Sequence, residues 1–275
     1  MASPPTHPPT TSDYDADHRE ARQFYRDVLL TLREGAVPFL VGGAYAYARF
    51  TGIKRPTKDF DIFVRPEDVE RALAVLADAG FTTELTFPHW LAKAGRGLNF
   101  VDIIFSSGNG IARVDDGWFE HGVPGEVFAL NVLLTPAEEM LWSKAFVMER
   151  ERYDGADVIH LLHARGPHMD WDRLLRRFGP HWRVLFVNLV LYGFVYPGDP
   201  LPCPKAVMDE LQRRLAEELT QEPSRDRLCR GPILSREQYL TDTLDRGYSD
   251  GRQLPHGTMT EDEIRRWTAA ITSRK

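Results

Sequence analysis

Residues 40–64, LVGGAYAYARFTGIKRPTKDFDIFV, carry the pattern that decides the fold. The apolar run 38–41 stops at Gly42 and Gly43, and residues 44–50 follow with a helical pattern, so the segment reads as strand, glycine turn, helix. Residues 59–64 then alternate as a second strand. In an extended chain, side chains alternate between faces, which places Asp59 and Asp61 on one side and turns Phe60 and Ile62 to the core. Two carboxylates held that close repel each other unless a proton or a cation intervenes. Oxygen ligands at this spacing suit magnesium, or manganese in its place, with the remaining coordination left to water and substrate phosphates. Gly42 and Gly43 supply unobstructed backbone amides near a helix N-terminus, a place for such a phosphate. Asp102, set between Val101 and Ile103 in an apolar run, is costly to bury without a partner or an ion. It is the candidate third metal carboxylate, with Asp115 and Asp116 as weaker rivals near a turn at Gly117.

Working outward, residues 17–32 place Ala21, Phe24, Tyr25, Val28, Leu29 and Leu32 at helical spacing. Pro66, Glu67 and Asp68 open a helix that ends at Gly80. Runs 81–87, 98–105 and 126–133 read as further strands. After residue 134 the character changes. Thr135 with Glu138 is a capping-box signature, and helical patterns follow at 154–164, 170–178, 182–195 and 205–219. The expected organisation is a Pro, Ser and Thr-rich disordered leader over 1–12, an α/β domain over 13–134, a helical domain over 135–219 and a polar appendage over 220–275.

The order Gly-Gly, helix, Asp-hydrophobic-Asp-hydrophobic, further strand aspartate resembles the nucleotidyltransferase superfamily that includes DNA polymerase beta, CCA-adding enzymes and aminoglycoside nucleotidyltransferases, over residues 36–105. The resemblance implies an α/β (α+β) polymerase beta-like fold with a mixed sheet, followed by helices. It also implies a magnesium-dependent transfer of a nucleoside monophosphate from a nucleoside triphosphate to an acceptor hydroxyl, with release of pyrophosphate. Asp59, Asp61 and Asp102 would be the catalytic and metal-holding set, and Gly42 and Gly43 would seat the nucleotide. A second stretch, Lys144, Arg150, Arg152, Tyr153, Asp154 and Asp157, resembles motifs of AbiEii-like nucleotidyltransferases, known as toxins of bacterial toxin–antitoxin systems. By that resemblance Lys144 holds the triphosphate, Arg152 assists and Asp157 orients the catalytic cluster; an antitoxin protein is then a partner, and the acceptor is a tRNA 3′ end or a small molecule. Without the resemblance, Lys144, Arg152, Asp154 and Asp157 read equally as an ion-paired helix face, and Lys58 either meets phosphate or flanks the strand.

Composition sets outer bounds. The chain has 275 residues, 43% hydrophobic and 27% charged, which fits a folded globular protein. The longest apolar run, residues 184–196, contains Asn188 and Gly193 and is too short to cross a bilayer, which needs ~18 or more residues. With no basic and apolar leader and only Cys203 and Cys229, a cytoplasmic location is expected. The net charge of −6 disfavours a globally basic nucleic-acid binder. Arg173, Arg176, Arg177 and Arg183, interleaved with Trp171 and Trp182, read either as an RNA track or as a helix surface over buried tryptophans. His160, His163, His168 and His181 lack zincin spacing and read as packing residues, and residues 106–110, SSGNG, lack the lysine of a Walker loop. A non-catalytic nucleotide-binding or partner-binding module with the same fold is the alternative to an enzyme.

Overall fold

A computed structural model describes residues 11–270, apart from Arg55, Pro56, Lys58 and Pro223. The expectations for residues 1–10 of the leader and for Lys58 fall outside the described residues. The chain opens with α1 (Thr11–Glu34), β1 (Leu40–Val41), α2 (Gly43–Thr51), β2 (Asp61–Phe63) and α3 (Val69–Asp78). Three strands follow, β3 (Thr82–Phe87), β4 (Leu91–Arg96) and β5 (Asn99–Ile104), then α4 (Asp116–Glu120) and the strands β6 (Val123–Val127) and β7 (Leu130–Leu134). Next come five helices, α5 (Ala137–Ala145), α6 (Gly155–Arg165), α7 (Trp171–Phe178), α8 (Trp182–Val195) and α9 (Lys205–Leu219). The last segment holds β8 (Leu228–Cys229), α10 (Gly231–Leu234), α11 (Leu240–Leu244), β9 (Ser249–Asp250) and α12 (Glu261–Ala269).

Seven strands form one mixed sheet in the order β3-β4-β5-β2-β1-β7-β6. The central pairs β2/β5 and β1/β7 are parallel, whereas β1/β2 and the outer pairs are antiparallel. Register follows the alternation read in the sequence. Ile62 pairs with Ile103, which faces Ala92, and all three are fully buried. The preceding row, Asp61 opposite Asp102 opposite Lys93, therefore points to the other face. On the apolar face α1 packs against α3 and β5, and α3 packs against β3 and β4. Val28, Leu29 and Leu32 of α1 and Ala72 and Leu76 of α3 are completely buried there. Each such aliphatic side chain contributes about 1.5–3 kcal/mol of transfer free energy to the fold, alanine less.

Several local expectations change. Asp59 precedes β2 rather than lying in it, its amide and carbonyl both bonded to the Thr57 hydroxyl. The run 126–133 is a hairpin of two strands; Phe128 and Ala129 take positive φ (52° and 58°) at the turn, a conformation that asparagine or glycine would have signalled. Strand β4 was hidden in LAKAGR, whose small residues carry little β-propensity. The capping box at Thr135 and Glu138 does not form. The Thr135 amide instead donates to Val41 O at 2.9 Å, prolonging the strand ladder, and Glu138 accepts from the Asp170 amide at 2.8 Å and pairs with Arg173. The polar stretch after residue 220 docks through α12, where Trp267 meets Phe87 and Trp90 at centroid distances of 4.9 and 5.1 Å. Among the described residues no helix is long and apolar enough to cross a membrane.

Candidate active site

Two neighbouring strands and one glycine bend build the site. The Gly42 amide donates to Asp61 O at 3.0 Å, which ties the β1–α2 bend to the start of β2. Gly43 has φ +53°, and a Cβ there would overlap Oδ2 of Asp61, so the backbone of the bend lies directly against that carboxylate. A Cβ at Gly42 would strike the Phe63 ring. Both glycines are thus required by close approach, and at Gly43 by conformation as well.

Asp61 and Asp102 are registered partners on parallel strands, and the Asp102 amide donates to Phe60 O, beside Asp59 in the chain, at 3.0 Å. That bond uses the backbone alone, and the Asp102 carboxylate lies on the polar face with Lys93. Asp59 is exposed at the mouth of this pair. Burial, then the charges of Asp102 and Asp59, push the Asp61 carboxyl up to about 6, against the opposing pull of Lys144 and Arg152. No donor among the described residues hydrogen-bonds to the Asp61 carboxylate. Asp102 is also raised by burial, opposed by the hydrogen bond and charge of Lys93, whose ammonium pairs with Oδ1. Lys93 escaped the sequence reading because β4 itself did.

The second group of expected residues assembles separately. Lys144 on α5 donates to Asp154 at 2.9 Å and to Asp157 on α6 at 2.8 Å, and Arg152 reaches Asp154 at 3.2 Å. Burial would raise Asp154, but Arg152 and Lys144 outweigh it and hold this carboxyl below its usual range. Helix α2 packs against both α5 and α6, and the Tyr47 hydroxyl meets His160 Nδ1 at 3.0 Å. The two groups interact through charge, since Lys144 and Arg152 both act on Asp61.

The remaining candidates have structural partners. Asp115 forms a two-pronged pair with Arg177 at 2.5 and 2.7 Å, and Asp116 pairs with Arg65. Arg173 is buried against Glu138 and Glu139, and Trp171 and Trp182 are buried, which favours the packing reading of that arginine-rich stretch. His163 stacks on Tyr196 with centroids 4.5 Å apart.

Among the described residues no group of three His, Cys, Asp or Glu side chains is close enough to enclose a metal. A half-buried carboxylate that accepts no hydrogen bond from the described residues and lies beside two like charges nevertheless fits an ion that takes one or two protein carboxylates and fills its other positions with water or phosphate.

A mixed sheet with a glycine bend against paired strand aspartates is the α/β architecture expected from the sequence. The chain belongs to the family described as "Uncharacterised nucleotidyltransferase", whose model matches residues 26–190. No curated protein matches it. Solved structures that are similar include the antibiotic-resistance factor ANT(2'')-Ia in solution, at 16% identity and TM-score 0.44, covering 61% of this chain and 95% of that one. The lincosamide antibiotic adenylyltransferase LnuA, solved with lincomycin bound, has 16% identity and TM-score 0.36 over 52% of this chain and 95% of its own. JHP933 from Helicobacter pylori has 11% identity and TM-score 0.32 over 76% and 97%.

Proposed function

We propose that this nucleotidyltransferase moves a nucleoside monophosphate from a nucleoside triphosphate onto an acceptor hydroxyl, with pyrophosphate as the leaving group. The observation that carries the proposal is the registered pair Asp61 and Asp102 beside the Gly42–Gly43 bend. The bend receives the triphosphate tail through the Gly43 amide and those of the first turn of α2, the Gly42 amide being held by Asp61 O, as backbone N–H groups at a helix start do for anions. Asp59 and Asp61 would hold magnesium, or manganese, which when bound supplies charge neutralisation at the phosphates. Asp102 takes the proton of the acceptor hydroxyl as its oxygen bonds to the α-phosphorus and the bond to pyrophosphate breaks. Lys144 and Arg152 face the phosphates from the helical side, and Asp157 fixes Lys144. In this reading residues 13–134 form the nucleotidyltransferase domain, residues 135–219 a helical domain that closes over the nucleotide, residues 1–12 a leader and residues 220–275 an appendage.

The acceptor is a small hydroxylated molecule in preference to a tRNA 3′ end. The acidic net charge and the consumption of Arg173 and Arg177 in internal ion pairs support that choice. A toxin of the AbiEii-like kind, with an antitoxin partner, remains the variant of the proposal in which tRNA is the acceptor. The protein is incubated with each α-labelled triphosphate and magnesium, in one arm with total RNA and in another with a metabolite extract. Label entering the metabolite fraction supports the proposal as stated, and label entering RNA replaces the small acceptor with tRNA. Triphosphate binding without transfer in either arm identifies a nucleotide-binding module instead.

A further inference from the structure

We infer that Lys93 is a built-in cation of the active site, a positioning residue that occupies the Asp102 carboxylate and limits the site to a single divalent ion. The inference deepens the proposed function and rests on its assignment of the aspartates. Lys93 on β4 stands directly opposite Asp102 on β5, in the row that Asp61 continues on β2. Its ammonium pairs with Oδ1 of Asp102 and lies 4.4 Å from the centroid of the Phe100 ring. It is held from two sides, by a carboxylate and by an aromatic face. On β3 the residue opposite Lys93 is Glu84, an exposed carboxylate, whereas the ion pair of the lysine runs to Asp102, inward to the aspartate row.

Charge counting gives this placement its consequence. Asp59, Asp61 and Asp102 carry three negative charges when ionised, and Lys93 removes one. The neighbouring group is balanced in formal charge, Lys144 and Arg152 against Asp154 and Asp157, although both cations also act on Asp61. A net charge of two remains, which one divalent ion neutralises. A second ion on the Asp102 side would have to displace a lysine that is already paired and partly withdrawn from water.

The test uses the full chain and manganese alone, counted by the loss of free-ion electron paramagnetic resonance signal. Wild type is expected to bind one ion per chain, and Asp61→Asn none. Lys93→Met keeps the unbranched stem over Phe100 but removes the charge, and is expected to raise the stoichiometry to two. Lys93→Arg, which restores a cation at Asp102, is expected to return it to one, with circular dichroism confirming that all variants fold. Two ions bound by wild type, or one bound with unchanged affinity by Lys93→Met, would overturn the role of Lys93 while leaving the proposed metal site intact. Equal binding by wild type and Asp61→Asn would overturn both readings.

Discussion

Oδ2 of Asp61 occupies the space that a Cβ on Gly43 would fill. The bend and the carboxylate are therefore parts of one close-packed unit. Gly43→Ala forces either the positive φ to relax or Asp61 to turn away, at a cost of about 1–3 kcal/mol in stability. Gly52 provides the control. It also has positive φ, at +73°, but nothing lies within 4 Å of its would-be Cβ. Gly52→Ala is expected to show a comparable or smaller loss in urea unfolding with transfer activity kept, whereas Gly43→Ala loses activity. Equal activity in both variants would contradict the coupling.

The raised Asp61 carboxyl has a defined consequence for stability. It titrates at about 6 in the folded chain and near 3.8 when unperturbed, so between those values the folded state binds more protons. Stability then falls as pH rises from about 4 to about 6, by at most about 3 kcal/mol, and does not recover above that range. Asp61→Asn removes this contribution. With chelator present, the variant should gain stability over wild type at pH 7.5 and show little gain at pH 4; urea midpoints at both values check the difference. A difference that is independent of pH would place Asp61 in an ordinary solvated setting.

How much of this site was legible in the sequence differs from residue to residue. Asp61, Asp102 and the two glycines follow from strand periodicity and glycine geometry, both local properties. Lys93 does not, because its strand consists of small residues and its importance lies in a cross-strand register. The same limit explains Glu138, which a capping rule assigns to its own helix although its partners, Asp170 and Arg173, lie more than thirty residues away. The turn at Phe128 and Ala129 was concealed for another reason. Tertiary packing of Phe128 on Tyr25 and Tyr45, with centroids 5.7 and 5.2 Å apart, holds a backbone conformation that its own residue type disfavours.

Lys144 holds two largely buried carboxylates that would otherwise face each other. Lys144→Met is expected to destabilise the protein by about 2 kcal/mol, below the ~3–5 kcal/mol typical of breaking a fully buried pair. It is also expected to raise KM for the triphosphate more than it lowers kcat. Restoring stability with Asp154→Asn in the same chain without restoring KM would separate the two roles. A KM unchanged in the single variant would leave Lys144 as a structural residue only.

Trp267 fastens the last helix to the edge of the sheet through Phe87, Trp90 and the Arg236 guanidinium, which sits 4.1 Å from its ring centroid. Trp267→Ala should cost about 2–3 kcal/mol, less than the ~3–5 kcal/mol of a fully enclosed aromatic because Trp267 is half-buried. Limited proteolysis should then cut after residue 220 sooner than in wild type, with the sheet domain left protected. Unchanged cleavage would show that other contacts of the segment suffice.

The most direct measurement compares α-labelled and γ-labelled triphosphate in the presence of magnesium and the acceptor fraction, for wild type and Asp61→Asn. The account predicts α-label in the acceptor and γ-label in pyrophosphate for wild type, and neither for a folded Asp61→Asn protein. Transfer by the variant at the wild-type rate, or γ-label appearing on the acceptor, would contradict it.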